Sequence, residues 1–113
     1  MLVVVAYWHI IRKGVRMPTY ISLMKFTEQG IKDVKNTPQR TENLVKGLEA
    51  MGGKLIALYA TIGEYDLVAI AEGPSDEVAM TFLLTMGSLG NIRTTTLKAF
   101  TREEFEAIVK RLP

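Results

Sequence analysis

The side chains able to do chemistry gather in two stretches. Gly63-Glu64-Tyr65-Asp66 sets a phenol and a carboxylate beside a glycine. Asp66 has two readings: a carboxylate that binds a ligand's amine or acts as a general base, or a hairpin cap that accepts backbone N–H bonds. Tyr65 can donate its phenol to a ligand or pack with its hydroxyl in water. The second stretch, Arg93-Thr94-Thr95-Thr96, carries a cation and three hydroxyls. In a strand, alternation sends Arg93 and Thr95 to one face and Thr94 and Thr96 to the other. Arg93 then forks a carboxylate or other anion, or is simply exposed on a β-branched strand. With Tyr20, the candidate ligand-binding set is Tyr20, Tyr65, Asp66, Arg93 and Thr95.

Other chemistry is poorly supplied. The sequence holds no cysteine and a single histidine, His9. Disulfides and thiolate sites are excluded, and histidine-rich metal sites and a Ser-His-Asp triad are not expected. No metal site and no cofactor is predicted. Ser88-Leu89-Gly90-Asn91 lacks the length and the lysine of a phosphate-binding loop. Met24, Met80 and Met86 read as core or interface fill.

The net charge of +2 and pI near 9.0 invite a nucleic-acid reading. The distribution of charge argues against it. Three of the 14 basic residues, Arg12, Lys13 and Arg16, lie in the first sixteen positions, which hold no acid. The remaining 11 face 12 acidic residues, a net of −1, so no phosphate-binding footprint spreads over the chain. The opening run MLVVVAYWHII is about half as long as a membrane span, and its positive charges follow it rather than precede it. An extra strand, a short interfacial anchor, or an over-extended reading frame with Met17 as the start all fit residues 1–16. His9, Trp8 and Tyr7 belong to that apolar tail. No membrane partner is expected, and the absence of cysteine suits a cytoplasmic setting.

The elements that must position the two stretches follow in order. Residues 19–26 alternate loosely as a strand. Thr27 caps a short turn over 28–34, weakened by Gly30. Thr37 is the expected N-cap and Pro38 the first residue of a helix whose stripe is Leu44, Val45, Leu48 and Met51. Gly52-Gly53 ends it. Strands are expected over 54–62 and 65–72, joined at Gly63, which can take the positive φ that a two-residue hairpin turn requires. Ser75 caps the next helix, with Asp76 and Glu77 in its first turn and Ala79, Phe82, Leu83 and Met86 on its buried stripe. A strand over 91–100 follows. Thr101 and Glu104 then form a capping box, opening a last helix striped by Phe105, Ile108, Val109 and Leu112.

This order predicts an α+β fold. It is the ferredoxin-like β-α-β-β-α-β arrangement, a four-stranded antiparallel sheet with helices on one face, plus a C-terminal helix. The other face is left open. Tyr20, Met24, Tyr59 and Leu67 are candidates to line it, and an open apolar face calls for a partner, most simply a second copy.

Four blocks carry a resemblance: MPTYISLMKFTEQGIKDVKNTPQR from Met17, the Gly63-Glu64-Tyr65-Asp66 corner, SLGNIRTTTLKAFT from Ser88, and the closing EEFEAIVKRLP. In this order and spacing they resemble the GYD-domain family over residues 17–113, with residues 1–16 outside it. The resemblance implies a dimeric α/β barrel and names a fold rather than an activity. A looser likeness is to the effector-binding domain of leucine-responsive (Lrp/AsnC) regulators, whose similar hairpin borders a small-molecule site between subunits. The helix-turn-helix of such regulators has no counterpart in residues 1–16.

The expectation is a homodimer or higher homo-oligomer binding a small polar metabolite between sheet and partner. The alternatives are a cofactor-free enzyme of monooxygenase or isomerase type using Asp66 and Tyr65, and a purely structural oligomerisation module. If residues 1–16 stand outside the domain, a chain beginning at Met17 melts at nearly the same temperature as the full one. A large drop would make the apolar run a structural strand.

Overall fold

The computed structural model describes residues 17–113. The expectations for residues 1–16 fall outside them. Strands β1 (Thr19–Phe26), β2 (Lys54–Ala60), β3 (Leu67–Glu72) and β4 (Ile92–Ala99) form one antiparallel sheet in the order β2-β3-β1-β4. A short helix α1 (Glu28–Lys32) and a 3-10 turn (Val34–Asn36) lead into α2 (Thr37–Ala50). Helix α3 (Asp76–Ser88) joins β3 to β4, and α4 (Arg102–Val109) closes the chain. This is the expected ferredoxin-like order.

Local sequence explains most boundaries. Ser75 accepts from the N–H of Val78, and Thr101 and Glu104 make the reciprocal capping box. Thr27 accepts from the N–H of Gly30 as expected of a cap. Helix α2 departs from the forecast: its N-cap is Asn36, and Thr37 is already helical. The N-cap side chain makes no capping bond; instead Arg40 reaches back to Asp33 at 2.7 Å and bonds Thr37 Oγ1 at 3.2 Å.

Gly63 does take positive φ, +132°. The turn around it is larger than two residues. Ala60 pairs with Leu67, so residues 61–66 form the loop and both strands are shorter than the apolar runs suggest. Thr61 N–H donates across the base of the loop to Asp66 O at 2.9 Å, and Asp66 N–H donates to Met24 O of β1 at 2.8 Å.

The long helices cover one sheet face. Met24, Leu67, Met86 and Ile92 form the buried cluster, with Phe26, Leu44, Leu58, Ala69, Phe82 and Leu83 packed against it. Met24 and Leu67 therefore lie beneath the helices, not on the open face, and Tyr20 shares their side by alternation from Met24. Of the four residues expected on the open face, Tyr59 alone is there. Its cross-strand neighbour Val68 sits opposite Leu23, and Ile21 lies between Ile70 and Leu97. Tyr59 is 61% exposed and Leu97 49%. A thickness of 19 Å is that of one sheet and one helix layer.

Two glycines discriminate close approach from backbone strain. A Cβ on Gly30 would lie 2.0 Å from Asn91 O, whereas one on Gly63 would meet nothing within 4 Å. Gly30 is thus needed because the entry to β4 crosses α1, a reason invisible in helix propensity. Gly30→Ala is expected to destabilise by about 3 kcal/mol or more through overpacking, and Gly63→Val by about 1–3 kcal/mol through strain alone. Denaturant melts of the two variants check both values.

Candidate functional site

The five candidate residues do not converge. Arg93 and Thr95 lie on the open sheet face, Tyr20 on the helix side, and Tyr65 and Asp66 in the loop before β3. Asp66 is fully engaged with β1: its Oδ2 accepts from Phe26 N–H at 2.8 Å, beside the Asp66 N–H bond to Met24 O. The residue ties the β2–β3 loop to the end of the central strand.

Tyr65 and Arg93 meet indirectly. Lys25 stands directly across from Arg93, and its ammonium lies 5.3 Å from the Tyr65 ring centroid. Glu64 approaches the same ammonium at 3.7 Å. Two cations face to face repel, and the π face and carboxylate offset that repulsion. One end of the open face is therefore basic.

The helix side holds the cavity. A cleft of about 100 Å³ lies between the sheet and helices α2 and α3. Its walls are mostly hydrocarbon, from Leu44, Leu48, Leu58, Ala69, Phe82 and Leu83 among others. Polar atoms are sparse. Ser22 and Thr96 hydroxyls bond each other at 2.9 Å, and Tyr20 stands toward the start of α3. None of the large described side chains is fully buried, so the core around the cleft is loosely filled.

Tyr20 anchors a cluster that no motif in the sequence marks. Its hydroxyl donates to Asp76 Oδ1 at 2.5 Å, and Lys98 Nζ donates to Asp76 Oδ2 at 3.0 Å. Lys98 is the cross-strand neighbour of Tyr20, and Asp76 opens α3. Burial, then the bond to Asp76, pushes the Tyr20 phenol well above the ordinary tyrosine range, with Glu77 adding to the effect. Asp76 is held below the usual carboxylate range by the Tyr20 hydroxyl first and by Lys98 next. The one signal for this cluster in the sequence is the acidic first turn of α3. Among the described residues no group of three or more metal-ligating side chains comes together.

The model of the family described as the GYD domain matches residues 20–109. The chain belongs to the GYD domain family. A relative from Thermus thermophilus, named glutamine synthetase and cystathionine beta-lyase binding protein, is 32% identical over 84 residues. That match covers 74% of this GYD chain and 88% of the relative. Two solved structures show the same fold. FFRP-DM1 superposes with a TM-score of 0.54 at 23% identity, over 74% of this chain and all of its own. A hypothetical protein from Pyrococcus horikoshii gives 0.50 at 23%, over 76% of this chain and 93% of its own.

The geometry of this GYD domain sets two expected outcomes. Asp66→Ala leaves the part-buried Phe26 N–H without its acceptor and is expected to cost about 1–3 kcal/mol, while Asp66→Asn keeps an acceptor oxygen and costs less; urea melts separate the two. Tyr20 is expected to ionise above the ordinary tyrosine range in an ultraviolet titration, and Tyr20→Phe to remove that late step. The sign is set by the raised folded-state pKa. The folded chain holds the phenolic proton more tightly, so this contribution to stability is present below about pH 10, the ordinary tyrosine pKa, and is lost as pH rises beyond it.

Proposed function

We propose that the protein is a binding module, folded over residues 17–113, that associates with itself through its open sheet face and engages a protein partner. The observation that carries this reading is the apolar face of Leu23, Ile21, Val68, Ile70, Tyr59 and Leu97, which no helix among the described residues covers. Alternation that buries Met24 and Leu67 leaves these side chains on the far side of the sheet. Strands of six to eight residues at about 4.8 Å spacing make a face of roughly 400–500 Å² in projection. A stable pair buries about 800 Å² per partner. The stripe on α4 offers the remainder, since Phe105 is 60% exposed and Ile108, Val109 and Leu112 lie beside it. An eight-residue helix is marginal in water without packing, so its apolar side also calls for a neighbour.

The relative's name suggests the kind of partner: enzymes of amino-acid metabolism, glutamine synthetase and cystathionine β-lyase for that protein. The basic end of the open face, Lys25 and Arg93, supplies a charged rim for such a contact. A cytoplasmic location agrees with this reading, and among the described residues no helix is long and apolar enough to cross a membrane.

A second reading is supported by the cleft: a small molecule is held between the sheet and the chain's own helices, rather than between sheet and partner. Of the candidate ligand residues, Tyr20 is the one that reaches this space. Arg93, Thr95 and Tyr65 then belong with the partner-facing surface and Asp66 with the loop.

Sedimentation at micromolar concentration is expected to give a dimer or larger assembly. Tyr59→Asp with Leu97→Asp is expected to release folded monomers, because both side chains are exposed in the single chain. A wild-type monomer overturns self-association. Biolayer interferometry against purified glutamine synthetase and cystathionine β-lyase from the same organism tests the partner reading. Binding to neither enzyme removes it.

A further inference from the structure

Beyond its first turn, helix α3 has no charged side. Between Glu77 and Arg93 the chain carries no charged residue. One side of α3 faces the cleft through Val78, Ala79, Phe82, Leu83 and Met86. The opposite side presents Met80 and Leu84, 56% and 66% exposed, and Leu89 is exposed just beyond the helix. The hydroxyls among them turn back onto the helix: Thr81 donates to Glu77 O, Thr85 to Thr81 O and Ser88 to Thr85 O. Helix α2 covers the same sheet, but its exposed residues include Gln39, Glu42, Asn43 and Lys46. A helix that is apolar all round belongs in an interior.

The order of sizes and charges along this side says what fits it. At helical spacing it runs Glu77, Met80, Leu84, Gly87. A second α3 laid antiparallel across Leu84 puts Met80 of each copy over Gly87 of the other. A Cβ on Gly87 would meet nothing within 4 Å, so the space above its backbone is open to a long side chain. Leu84 meets its own copy at the two-fold axis. A parallel pair would instead stack Met80 on Met80 and set Glu77 against Glu77. The charges at the two ends favour the same arrangement. Asp76 and Glu77 open α3. At its far end stands α1, tied there by Gln29, which donates to Leu89 O at 3.1 Å and to Asn91 Oδ1 at 2.9 Å. Lys32 lies one turn from Gln29 on the same side of α1. Antiparallel packing brings Glu77 of one copy to Lys32 of the other, a lysine engaged by Glu28 at 3.1 Å in an exposed pair. Asp76 is already held by Tyr20 and Lys98. The two helix dipoles are opposed as well.

The 13 residues of α3 make a ridge about 20 Å long and about 10 Å wide, roughly 200 Å² in projection. A stable pair of free chains buries about 800 Å² per partner, so this contact alone holds two chains only at high concentration. The long helices and the open face lie on opposite sides of the sheet, so two chains joined by their open faces still present two α3 ridges outward. We propose that the outer side of α3 is a second self-association surface, on which α3 of another copy packs antiparallel about Leu84, and that it links pairs joined by the open face into larger assemblies of even number. The linking of pairs rests on the self-association proposed above; the α3 contact itself does not.

Sedimentation of the full chain from low micromolar to near-millimolar concentration tests it. Wild type is expected to run as a pair when dilute and to reach four or more copies when concentrated. Leu84→Glu, at an exposed position, is expected to stop at the pair throughout while its circular dichroism stays native. Gly87→Leu separates a fitted contact from a generally adhesive surface. It adds apolar area and helix propensity but fills the space that Met80 would enter, so it too is expected to stop at the pair. Glu77→Lys and Lys32→Glu are each expected to weaken the step beyond the pair by about tenfold, because the ion pair occurs twice in each contact, and the two together to restore it. Should Leu84→Glu fail to fold, Gly87→Leu and the charge exchange decide. A wild-type pair that never grows, and that Leu84→Glu leaves intact, gives the surface another occupant and overturns the proposal. Stronger assembly by Gly87→Leu overturns it too, and a charge exchange without restoration overturns the antiparallel packing. Failure of the open-face reading looks different: wild type then passes only from monomer to pair, and Leu84→Glu, not Tyr59→Asp with Leu97→Asp, removes that pair.

Discussion

A four-stranded sheet has two faces, and this chain brings its two long helices to only one of them. Much of the structure answers that constraint. The order β2-β3-β1-β4 puts β1 and β3 in the middle, where each is hydrogen-bonded on both edges. Their inward side chains, Met24 and Leu67, meet Met86 from α3 and Ile92 from β4. Their outward ones, Leu23, Ile21, Val68 and Ile70, are apolar too, although no helix among the described residues covers them. Central strands with apolar residues on both faces are built to be buried on both. The same reasoning applies to α4, whose capping box is complete while its apolar stripe lies in solvent. The surface that remains unsatisfied in one copy is the physical basis for reading the protein as a part of something larger.

The covered face has the opposite character. Helix α3 is capped by Ser75 and the core is continuous, yet the space under α2 and α3 holds a cleft lined by incompletely buried side chains. A loosely packed slot beneath two helices costs dispersion energy, and such a gap sits more naturally at a binding site than at a purely structural core. The polar groups near it are concentrated at one end, where three elements meet. Tyr20 comes from β1, Lys98 from β4 and Asp76 from the first turn of α3. Burial first and the bond to Asp76 next raise the phenol, and the phenol and ammonium together lower the carboxylate.

The family's eponymous corner has a structural office in this chain. Gly63 supplies a backbone angle that other residues adopt at a cost, and Asp66 binds the end of β1 through both main chain and side chain. A loop that would otherwise be a free hairpin tip is thereby fixed to the central strand. Tyr65 and Glu64 then stand where they offset the Lys25–Arg93 repulsion. The corner shapes the basic end of the open face rather than the cleft.

The order of elements, the caps at Thr27, Ser75 and Thr101, the positive φ at Gly63 and the family itself are legible in the sequence. They depend on neighbours within a few positions or on blocks of residues in fixed order. Alternation also sorts Arg93 and Thr95 from Thr94 and Thr96. It does not say which side of the sheet the helices take, and so it misplaces Met24, Leu67 and Tyr20 on the open face although they lie beneath the helices. Periodicity within one strand determines relative sides, and only packing against α2 and α3 makes one of them the inside. The partner of Asp66 lies 40 positions away in the chain, that of Tyr20 lies 56 away, and Gly30 is required by a carbonyl from the entry to β4. Such contacts arise from strand register and helix placement, which short-range chemistry does not encode, and the tertiary structure alone decided them.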